Sequence, residues 1–520
     1  MTSAVRLASF DDYRFVGFDD AQAEFERLRP CLEVVDSGLP PTHVFEGALS
    51  VPLSGGGDFP TGGLVDREGR PVDAAFHQRR STVHFGERVA AVGQRAVEIG
   101  DDVLYLGRYF GHFGHFVFEG LARCHALREV DPSVPVLLHG MTRYPVEPQQ
   151  RAVFLGLGLT PERIVYDTSP LSLRRVRVPE AAIVYGQRVH RELASVYHQV
   201  LERLGLADEP ESEQPLFLSR AGLPRSHRRV LEEADLERYL GDEGFRVVRP
   251  ETLPLREQLR LAHRHRVVLG FWGSALRLVW FSPRRKVVCS LHDAFPTPTV
   301  LQEHLLTGDE AWMVHCAETP RDARTWRNAQ TLRFDVLERF LRDQGLVRGV
   351  SRPPMPTTAA ALAVESVYVH AFELARRREQ QRLDALLCDE HLDASGREAV
   401  RQAVEDVRRP PPAPSAPEPT SDDLCDSLRQ DPWCTATRTL LAQRCLELGR
   451  LDEALEHAGL CVRLDPAAAA PRRLLASALI EAGRMQDALA SAEAAVALDP
   501  DDAEAWLLLH SAAGALGRGD

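Results

Sequence analysis

The chain has 520 residues, of which 44% are hydrophobic and 26% charged, and its net charge at neutral pH is −13. This length predicts about three domains, and the composition is that of a folded globular protein with a sizeable core. The negative charge argues against general nucleic-acid binding, because that function needs a basic face.

The nine cysteines and the N-terminal segment bear on the cellular compartment. The cysteine number is odd and no Cys-x-x-Cys pair occurs, which argues against a disulfide framework and against a zinc site. The first residues lack the apolar core of a signal peptide, and no apolar run of about 18 residues is present. We therefore expect a cytoplasmic protein without a transmembrane segment, or one that is peripheral at the inner face of the membrane.

The first 100 residues predict loops and short strands, and from Val103 onward short apolar runs alternate with helical patterns. Such alternation predicts an α/β fold with parallel sheets, and an acidic turn at 208–214 divides it into two Rossmann-like lobes. The predicted strands are 103–107, 135–140, 163–166, 215–219, 245–250, 266–270 and 286–291, and the predicted helices are 117–129, 149–157, 192–204, 235–240 and 255–263. The domains expected are an N-terminal lobe at 1–207, a C-terminal Rossmann-like lobe at 208–350, a helical extension at 351–408, a proline-rich linker at 409–420 and a helical tail at 421–520.

The tail repeats itself every 34 residues, which is typical of a helix–turn–helix solenoid. Glycine ends the first helix of each unit, proline follows the second, and small alanines let the paired helices approach closely. Two full units, 432–465 and 466–499, precede a shortened third, and they resemble tetratricopeptide repeats. The register is marked by Asp-Pro at 431–432, 465–466 and 499–500, by Gly-Arg at 449–450, 483–484 and 517–518, and by Ala454, Ala458, Ala488 and Ala492.

The segment 111–123 holds a candidate acid/base pair. If a helix begins near Gly114, His115, Glu119 and Arg123 share one face, because they are spaced four residues apart. A histidine and a carboxylate one turn apart can orient and polarise each other, as proton transfer requires. The alternative is a surface His–Glu pair with a neighbouring arginine. No HxxxH or HExxH pattern supports a metal site.

Two further segments follow predicted strands. The loop 219–229 carries Arg220, Arg225 and Arg228, and guanidinium groups at the carboxyl end of a parallel strand suit an anionic ligand. The alternative for this loop is a solvated basic surface. After the strand at 266–270, Gly273 and Ser274 precede a predicted helix start, where backbone N–H groups can meet a phosphate.

Taken in order, these segments resemble glycosyltransferase family 61 over residues 100 to 295. The matching residues are Gly114, His115, Phe116, Glu119, Leu121, Arg123 and Leu127 in the first block, then Leu218, Ser219, Arg220, Arg228 and Arg229 in the second, with Glu232 or Glu233 as a looser match. The third block matches at Gly244, Phe245, Val247, Val248, Pro250, Glu251, Leu253, Leu255, Glu257 and Gln258, and the fourth at Val267, Val268, Gly270, Gly273, Ser274, Ala275, Leu276 and Phe281.

This resemblance implies a GT-B-like pair of lobes, with the acceptor on the N-terminal side and the nucleotide-sugar on the C-terminal side. It implies inverting, metal-independent sugar transfer from a nucleotide donor, with a UDP-linked sugar as the expected co-substrate and no other cofactor. The acceptor would be a glycan, a lipid-linked molecule or a protein. The process in which the resemblance places such an enzyme is polysaccharide biosynthesis. His115 would be the base, held by Glu119, unless Glu119 is itself the base. The donor would be bound by Arg123, Arg220, Arg225, Arg228, Glu251, Gln258, Gly273 and Ser274.

Two departures from the family pattern support an alternative function. Trp272 stands where many members carry histidine, and the asparagine that many members carry is missing at 277–279. The alternative is a non-catalytic scaffold in which the repeats bind a protein partner. An NAD(P)-dependent oxidoreductase is disfavoured, because no GxGxxG motif opens either lobe. If the tail only recruits a partner or an acceptor, its removal after Pro410 should leave donor hydrolysis intact.

Overall fold

The computed structural model describes residues 5–54, 60–79, 82–87, 96–141, 146–223, 230–319, 330–376, 382–383, 386, 393–408 and 421–517. The chain forms two compact units. Met1–Gly38 and Gly186–Ser415 make up the first, which we name the parallel-sheet unit. Leu39–Tyr185 and Ala416–Asp520 make up the second, the mixed-sheet unit. This grouping differs from the predicted boundary at 207/208, and the predicted linker at 409–420 lies outside the described residues.

The strands coincide with each apolar run that the sequence singled out, and further strands lie in the first 100 residues and within 171–190, 310–318 and 331–332. In chain order they are β1 Val5–Leu7, β2 Tyr13–Val16, β3 Glu33–Val35, β4 Thr42–Ser54, β5 Thr61–Val65, β6 His77–Arg79, β7 Thr82–Phe85, β8 Val97–Arg108, β9 Val136–His139, β10 Ile164–Val165, β11 Leu171–Pro179, β12 Ile183–Val184, β13 Arg188–His190, β14 Leu216–Leu218, β15 Arg246–Val248, β16 Val267–Phe271, β17 Val287–His292, β18 Glu310–His315, β19 Ala317–Glu318 and β20 Thr331–Leu332.

The predicted helices are confirmed except at 117–129, where a series of short turns replaces the expected continuous helix. The α-helices of eight residues or more are Ala21–Leu28, Pro148–Gly156, Ala194–Arg203, Glu233–Asp242, Leu255–Arg264, Pro298–Thr307, Phe334–Asp343, Ala359–Arg376, Ala394–Arg408, Ser421–Gln430, Thr435–Glu447, Leu451–Leu464, Ala469–Glu481, Met485–Leu498 and Ala503–Ala515. Among these helices of the described chain, none is long and apolar enough to cross a membrane.

The parallel-sheet unit contains a sheet with the strand order β15-β14-β16-β17-β18-β2, in which every neighbouring pair is parallel. Its strands are short apolar runs because helices cover both faces of such a sheet. Phe217, Leu269, Cys289 and Val314 are buried in its core. The edge strand β2 comes from the N-terminus, which explains why residues 1–38 group with this unit.

The mixed-sheet unit contains a sheet with the strand order β10-β9-β8-β11-β4-β5. Strand β8 is parallel to both β9 and β11, whereas β4 is antiparallel to β11 and to β5. The body of the chain is therefore α/β, as predicted, but this sheet is mixed and not purely parallel. The antiparallel strands belong to the first 100 residues, where the sequence pattern indicates loops and short strands.

The tail is the predicted helical solenoid. Gly449 and Gly483 have φ angles of +71° and +70°, a left-handed conformation that glycine adopts at little cost. After each glycine the next amide donates back to the preceding helix, from Arg450 N to Cys445 O and from Arg484 N to Leu479 O, both at 2.8 Å. The helices approach closely because the four alanines in register are fully buried, namely Ala454, Ala458, Ala488 and Ala492.

Candidate functional site

His115 and Glu119 lie in two consecutive helical turns that follow strand β8. Residues Phe113–His115 form one α-helical turn, and Phe116–Gly120 continue as the π turn. The amide of Leu121 donates to the carbonyl of Phe116 at 3.1 Å, which is a bond across five residues. Such turns are frequent at functional sites. The predicted four-residue spacing still brings the two side chains together, although the long helix expected here is absent.

The carboxylate of Glu119 is buried and surrounded by donors. Its Oε1 lies 2.6 Å from His115 Nδ1 and accepts from Arg79 Nη2 at 2.8 Å. Its Oε2 accepts from Arg79 Nε at 2.8 Å and lies 3.1 Å from His77 Nε2. Burial alone would raise the pKa of Glu119, yet the hydrogen bond from His115, the nearby ring of His77 and the pairing with Arg79 hold that pKa well below its usual value. Glu119 is therefore an ionised carboxylate at neutral pH.

The orientation of the His115 ring follows from this charge. An ionised carboxylate can only accept, so Nδ1 of His115 must carry the proton in the 2.6 Å contact with Glu119. The neutral ring then has its lone pair on Nε2. The His115 side chain is 41% exposed whereas that of Glu119 is 3% exposed. A hydroxyl can thus approach His115, and the pair can remove a proton from it.

Arg79 and His77 were not among the candidate residues found in the sequence. Both lie on strand β6, where alternate residues point to the same side, and this places both side chains at Glu119. The guanidinium of Arg79 also lies over the ring of Tyr185, 5.0 Å from its centroid. The only local signal was the alternation His-Gln-Arg. Three residues within a turn-rich region are too few to predict a strand. The contact between Arg79 and Glu119 also joins residues 40 positions apart in the sequence.

Arg123 is buried below the same turn and contacts the backbone. Its Nε donates to the carbonyl of Pro179 at 2.9 Å, and its Nη2 donates to those of Ala74 and Phe76 at 3.0 and 2.8 Å. Arg123 as a whole is only 5% exposed. These contacts favour a structural role, in which Arg123 holds the segment that leads into β6, over the donor contact that the resemblance implies.

We expect Arg123→Met to lower stability and to leave donor affinity unchanged. Because several buried carbonyls lose a charged donor, the free energy of unfolding should fall by about 2 to 4 kcal/mol. Urea unfolding measures the first quantity, and calorimetry with a nucleoside diphosphate measures the second. A variant of normal stability that binds the nucleotide at least tenfold more weakly would instead show that Arg123 contacts the donor.

Arg220 and Gly273 follow neighbouring strands of the parallel sheet. Arg220 comes after β14 and Gly273 after β16, and Leu218 pairs with Gly270 at the ends of these strands. The chain runs from β14 outward to β15 and then returns to the other side of β14 with β16. Ligands of open α/β sheets bind in the crevice that such a reversal creates at the carboxyl ends. The predicted proximity of the two segments is therefore present.

The Arg220 side chain is fixed at this edge of the sheet. Its Nη1 lies 3.4 Å from the carbonyl of Trp272, and its guanidinium lies 5.2 Å from the centroid of the Phe271 ring. A Cβ placed on Gly273 would be 3.9 Å from the same Nη1. Gly273 has an extended backbone that any residue can adopt, and the 3-10 helix Ser274–Phe281 begins directly after it. Arg225 and Arg228 lie outside the described residues.

The remaining candidates divide between exposed and structural positions. Glu251 is exposed at the end of β15, and a Cβ on Gly222 would collide with its Oε1, so it borders the loop of Arg220. Gln258 is buried and its Nε2 donates to the carbonyl of Leu253 at 2.8 Å, which closes the start of helix Leu255–Arg264. These contacts favour Glu251 over Gln258 as a ligand contact.

The region where the family's asparagine is missing contains a buried ion pair. Arg277 Nη2 lies 2.6 Å from Glu303 Oε1, and both side chains are almost fully buried. The guanidinium of Arg277 therefore pairs with a carboxylate in the interior of the parallel-sheet unit. Within the described part of the chain, no group of three or more His, Cys, Asp or Glu side chains is arranged to hold a metal ion.

Comparison with protein families identifies two regions of the chain. Residues 113–289 match Glycosyltransferase 61, and residues 446–513 match the Tetratricopeptide repeat. Both resemblances predicted from the sequence are confirmed. Comparison with curated proteins finds no match.

Comparison with solved structures finds likenesses of low TM-score. The crystal structure of MamA is 22% identical over 25% of this chain and 68% of its own, with a TM-score of 0.19. The first TPR domain of human RPAP3 is 14% identical over 29% of this chain and 95% of its own, with a TM-score of 0.18. A mutant O-GlcNAc transferase of Thermobaculum terrenum is 22% identical over 30% of this chain and 23% of its own, with a TM-score of 0.17. At these TM-scores the likenesses carry no further argument.

Proposed function

Because residues 113–289 match the glycosyltransferase 61 family, we propose that the protein is an inverting, metal-independent glycosyltransferase that uses a nucleotide-sugar. The observation that carries this proposal is the His115–Glu119 pair, in which a buried, ionised carboxylate orients an accessible imidazole. A two-lobe GT-B arrangement belongs to the same proposal.

His115 is the general base of the proposed reaction. Its Nε2 takes the proton of an acceptor hydroxyl, and the oxygen attacks the anomeric carbon of the donor sugar from the face opposite the leaving group. The new bond from carbon to oxygen forms while the bond from carbon to the phosphate oxygen breaks, so the configuration at that carbon inverts. Glu119 stabilises the imidazolium that results, and Arg79 and His77 keep Glu119 ionised.

Arg220 binds the nucleoside diphosphate that departs. The leaving group gains about one negative charge in the transition state. A guanidinium can stabilise this charge through bidentate hydrogen bonds to the phosphate oxygens. The switch point between β14 and β16 supports this assignment, as does the helix that begins at Ser274. The proposal also includes Arg225 and Arg228 as further phosphate ligands, and Glu251 as a contact of the ribose or base of a UDP-linked donor.

We expect Arg220→Met to weaken nucleotide binding. Loss of a charge-assisted contact costs about 1.5 to 3 kcal/mol, so the dissociation constant for the nucleoside diphosphate should rise roughly tenfold to a hundredfold. Arg238→Met is the matched control, because Arg238 forms an exposed pair with Asp235 in the same unit. Calorimetry with UDP and GDP measures both variants. Equal affinity of wild type and Arg220→Met would contradict the assignment.

The rival function is the non-catalytic scaffold, which Trp272 and the buried pairing of Arg277 with Glu303 favour. Nucleotide release from UDP- and GDP-sugars by the full-length chain decides between the two. An enzyme releases nucleotide from at least one donor, slowly to water and faster with its acceptor. A chain that binds none of these donors by calorimetry, and releases no nucleotide, is the scaffold.

The repeats add a protein partner to the proposed function. Tetratricopeptide repeats suggest protein interaction, and residues 431–520 hold eight Arg against 14 Asp or Glu, a net charge of −6. We propose a basic partner for this acidic surface. This partner would be a component of a larger assembly, or it would deliver the acceptor glycan, lipid or protein. The proposed location is the cytoplasm or the inner face of the membrane.

A further inference from the structure

The first repeat contacts the body of the chain through a buried tryptophan. Trp433 lies in the turn between helices Ser421–Gln430 and Thr435–Glu447 and is fully buried. Its indole stacks on Phe154, with 5.0 Å between ring centroids, and its Nε1 donates to the carbonyl of Leu159 at 3.0 Å. A buried tryptophan that fills a site and satisfies its N–H in this way is an anchoring contact.

Charged contacts surround this anchor. Arg438 is 5% exposed, and its Nη2 donates to Glu162 Oε1 at 2.6 Å. Arg151 lies 3.5 Å from Asp431, and the guanidinium of Arg463 lies over the ring of Tyr166 at 5.3 Å. The contacts therefore extend along the segment from helix Pro148–Gly156 to Tyr166, which all belongs to the mixed-sheet unit.

Comparison of the three repeats shows that these contacts are particular to the first. Arg438 and Arg472 occupy the same position of successive repeats, and each donates to the carbonyl of the proline that opens its own repeat. Trp506 makes the same contact in the third repeat. The position of Trp433, however, is Ala467 in the second repeat and Asp501 in the third. The later repeats lack the aromatic anchor.

The helix under Trp433 also supports the His115 turn. Phe154 packs edge-on against Phe116, 5.2 Å between centroids, and Phe116 is the residue directly after His115. One helical turn earlier, the buried Gln150 donates to the carbonyls of Phe110 and Gly111 at 2.9 and 3.0 Å. Helix Pro148–Gly156 thus contacts the segment that enters the turn and the turn itself.

We propose that the first repeat is a fixed part of the unit that carries His115, and that Trp433 is a positioning residue for the His115–Glu119 turn. Trp433 acts through Phe154 and Phe116, because each ring fills the space against the next in a closely packed interior. The positioning role of Trp433 in catalysis rests on the proposed function. It also assigns binding of a partner to the later repeats, since the first is occupied.

The experiment uses the full-length chain and five variants: Trp433→Ala, Trp433→Phe, Phe154→Leu, the double variant with Trp433→Ala and Phe154→Leu, and the matched control Trp506→Ala. Trp506 is half exposed and belongs to the third repeat. Donor hydrolysis gives kcat and KM. Hydrogen exchange of the amides in 109–123 reports on the turn without requiring any activity, and exchange in β9 shows that the sheet remains folded.

Trp433→Ala should lower kcat about tenfold to a hundredfold at unchanged KM, as expected when a catalytic group is displaced slightly. Exchange in 109–123 should become at least tenfold faster. Trp433→Phe keeps the stacked ring and should restore most of kcat, whereas Trp506→Ala should change nothing. Phe154→Leu should resemble Trp433→Ala, and the double variant should show no further fall, because both residues act along one path.

Two results would overturn the inference: unchanged exchange in 109–123 after Trp433→Ala, or effects of the two substitutions that multiply in the double variant. If Trp433→Ala does not fold, Trp433→Phe and Phe154→Leu decide instead, and a kcat like wild type in Phe154→Leu overturns the inference. Failure of the proposed function is distinguishable, because the wild type would then release no nucleotide while the exchange measurement still tests the packing.

Discussion

Replacing Glu119 with glutamine should lower both the stability of the chain and the rate of nucleotide release. Glu119 is 3% exposed and receives two hydrogen bonds from Arg79, which is itself 26% exposed. A neutral amide leaves this guanidinium without its counter-charge, and breaking a buried pair from one side costs about 3 kcal/mol. The same change leaves the imidazole of His115 without the carboxylate that orients it.

The loss of stability should depend on pH. The folded pKa of Glu119 lies well below the ordinary value of 4.5, so the carboxylate contributes its full stabilisation above about pH 4.5 and loses it as the pH falls through the folded pKa. The difference in unfolding free energy between wild type and Glu119→Gln should therefore be constant above this pH and shrink below it. Urea unfolding at a series of pH values measures the difference.

Glu180→Gln is the matched control for this substitution. Glu180 lies 2.8 Å from His43 Nε2 in the same unit, but both side chains are about 44% exposed, so the pair is screened by solvent. The control should unfold within about 0.5 kcal/mol of wild type and keep its activity. A stability of Glu119→Gln that equals that of the control would contradict the buried, ionised carboxylate.

Replacing His115 with alanine should remove the base of the proposed reaction. General base catalysis contributes roughly a hundredfold to ten-thousandfold, so kcat for transfer to an acceptor should fall by that factor. The donor KM should change little, because the contacts that we assign to the nucleotide lie at Arg220. The free energy of unfolding should fall by about 1 kcal/mol, because the buried carboxylate of Glu119 loses the hydrogen bond from His115 and keeps those from Arg79.

His43→Ala is the control for this second substitution, since it breaks an exposed His–Glu pair of similar length. Steady-state release of nucleotide, with and without acceptor, measures both variants. If His115→Ala keeps its acceptor-dependent rate while Glu119→Gln loses it, Glu119 is the base and the assignment of roles is reversed. If both keep their rates, the reaction does not use this pair.

The sequence predicted the local elements well, because each depends on a short pattern. The apolar runs at 215–219 and 266–270 became neighbouring strands, and the rule for carboxyl ends then placed Arg220 and Gly273 at one edge of the sheet. The spacing of His115 and Glu119 was sufficient to bring them together although the α turn of His115 continues as a π turn, since residues four apart lie on the same side of either turn.

Long-range pairings account for what the sequence did not predict. Arg79 and His77 reach Glu119 from a three-residue strand, and no local period distinguishes such a strand from a loop. Arg123 has the helical spacing of a site residue. Its guanidinium, however, donates hydrogen bonds to three backbone carbonyls that are distant in sequence, those of Ala74, Phe76 and Pro179. Similarly, the 34-residue period identified the repeats, while the docking of Trp433 depends on Phe154, a residue distant in the sequence.

The docking changes the expectation for removal of the tail. Deletion after Pro410 would expose Phe154 and leave the carbonyl of Leu159 without its indole donor. A shortened chain should therefore lose stability in the mixed-sheet unit even if the tail also recruits a partner. Point substitutions in the second and third repeats separate recruitment from folding more cleanly than truncation does.

Strand β2 has a consequence for how the protein is made. Its pairing with β18 joins residues almost 300 positions apart, as the 298-residue contact between Gly17 and His315 shows. At a ribosomal rate of about 5 to 20 residues per second, the nascent β2 must wait on the order of 15 to 60 seconds for its partner strand. During that interval Tyr13 and Phe15 lack the strand that pairs with them in the folded chain, so we expect chaperones to bind this segment.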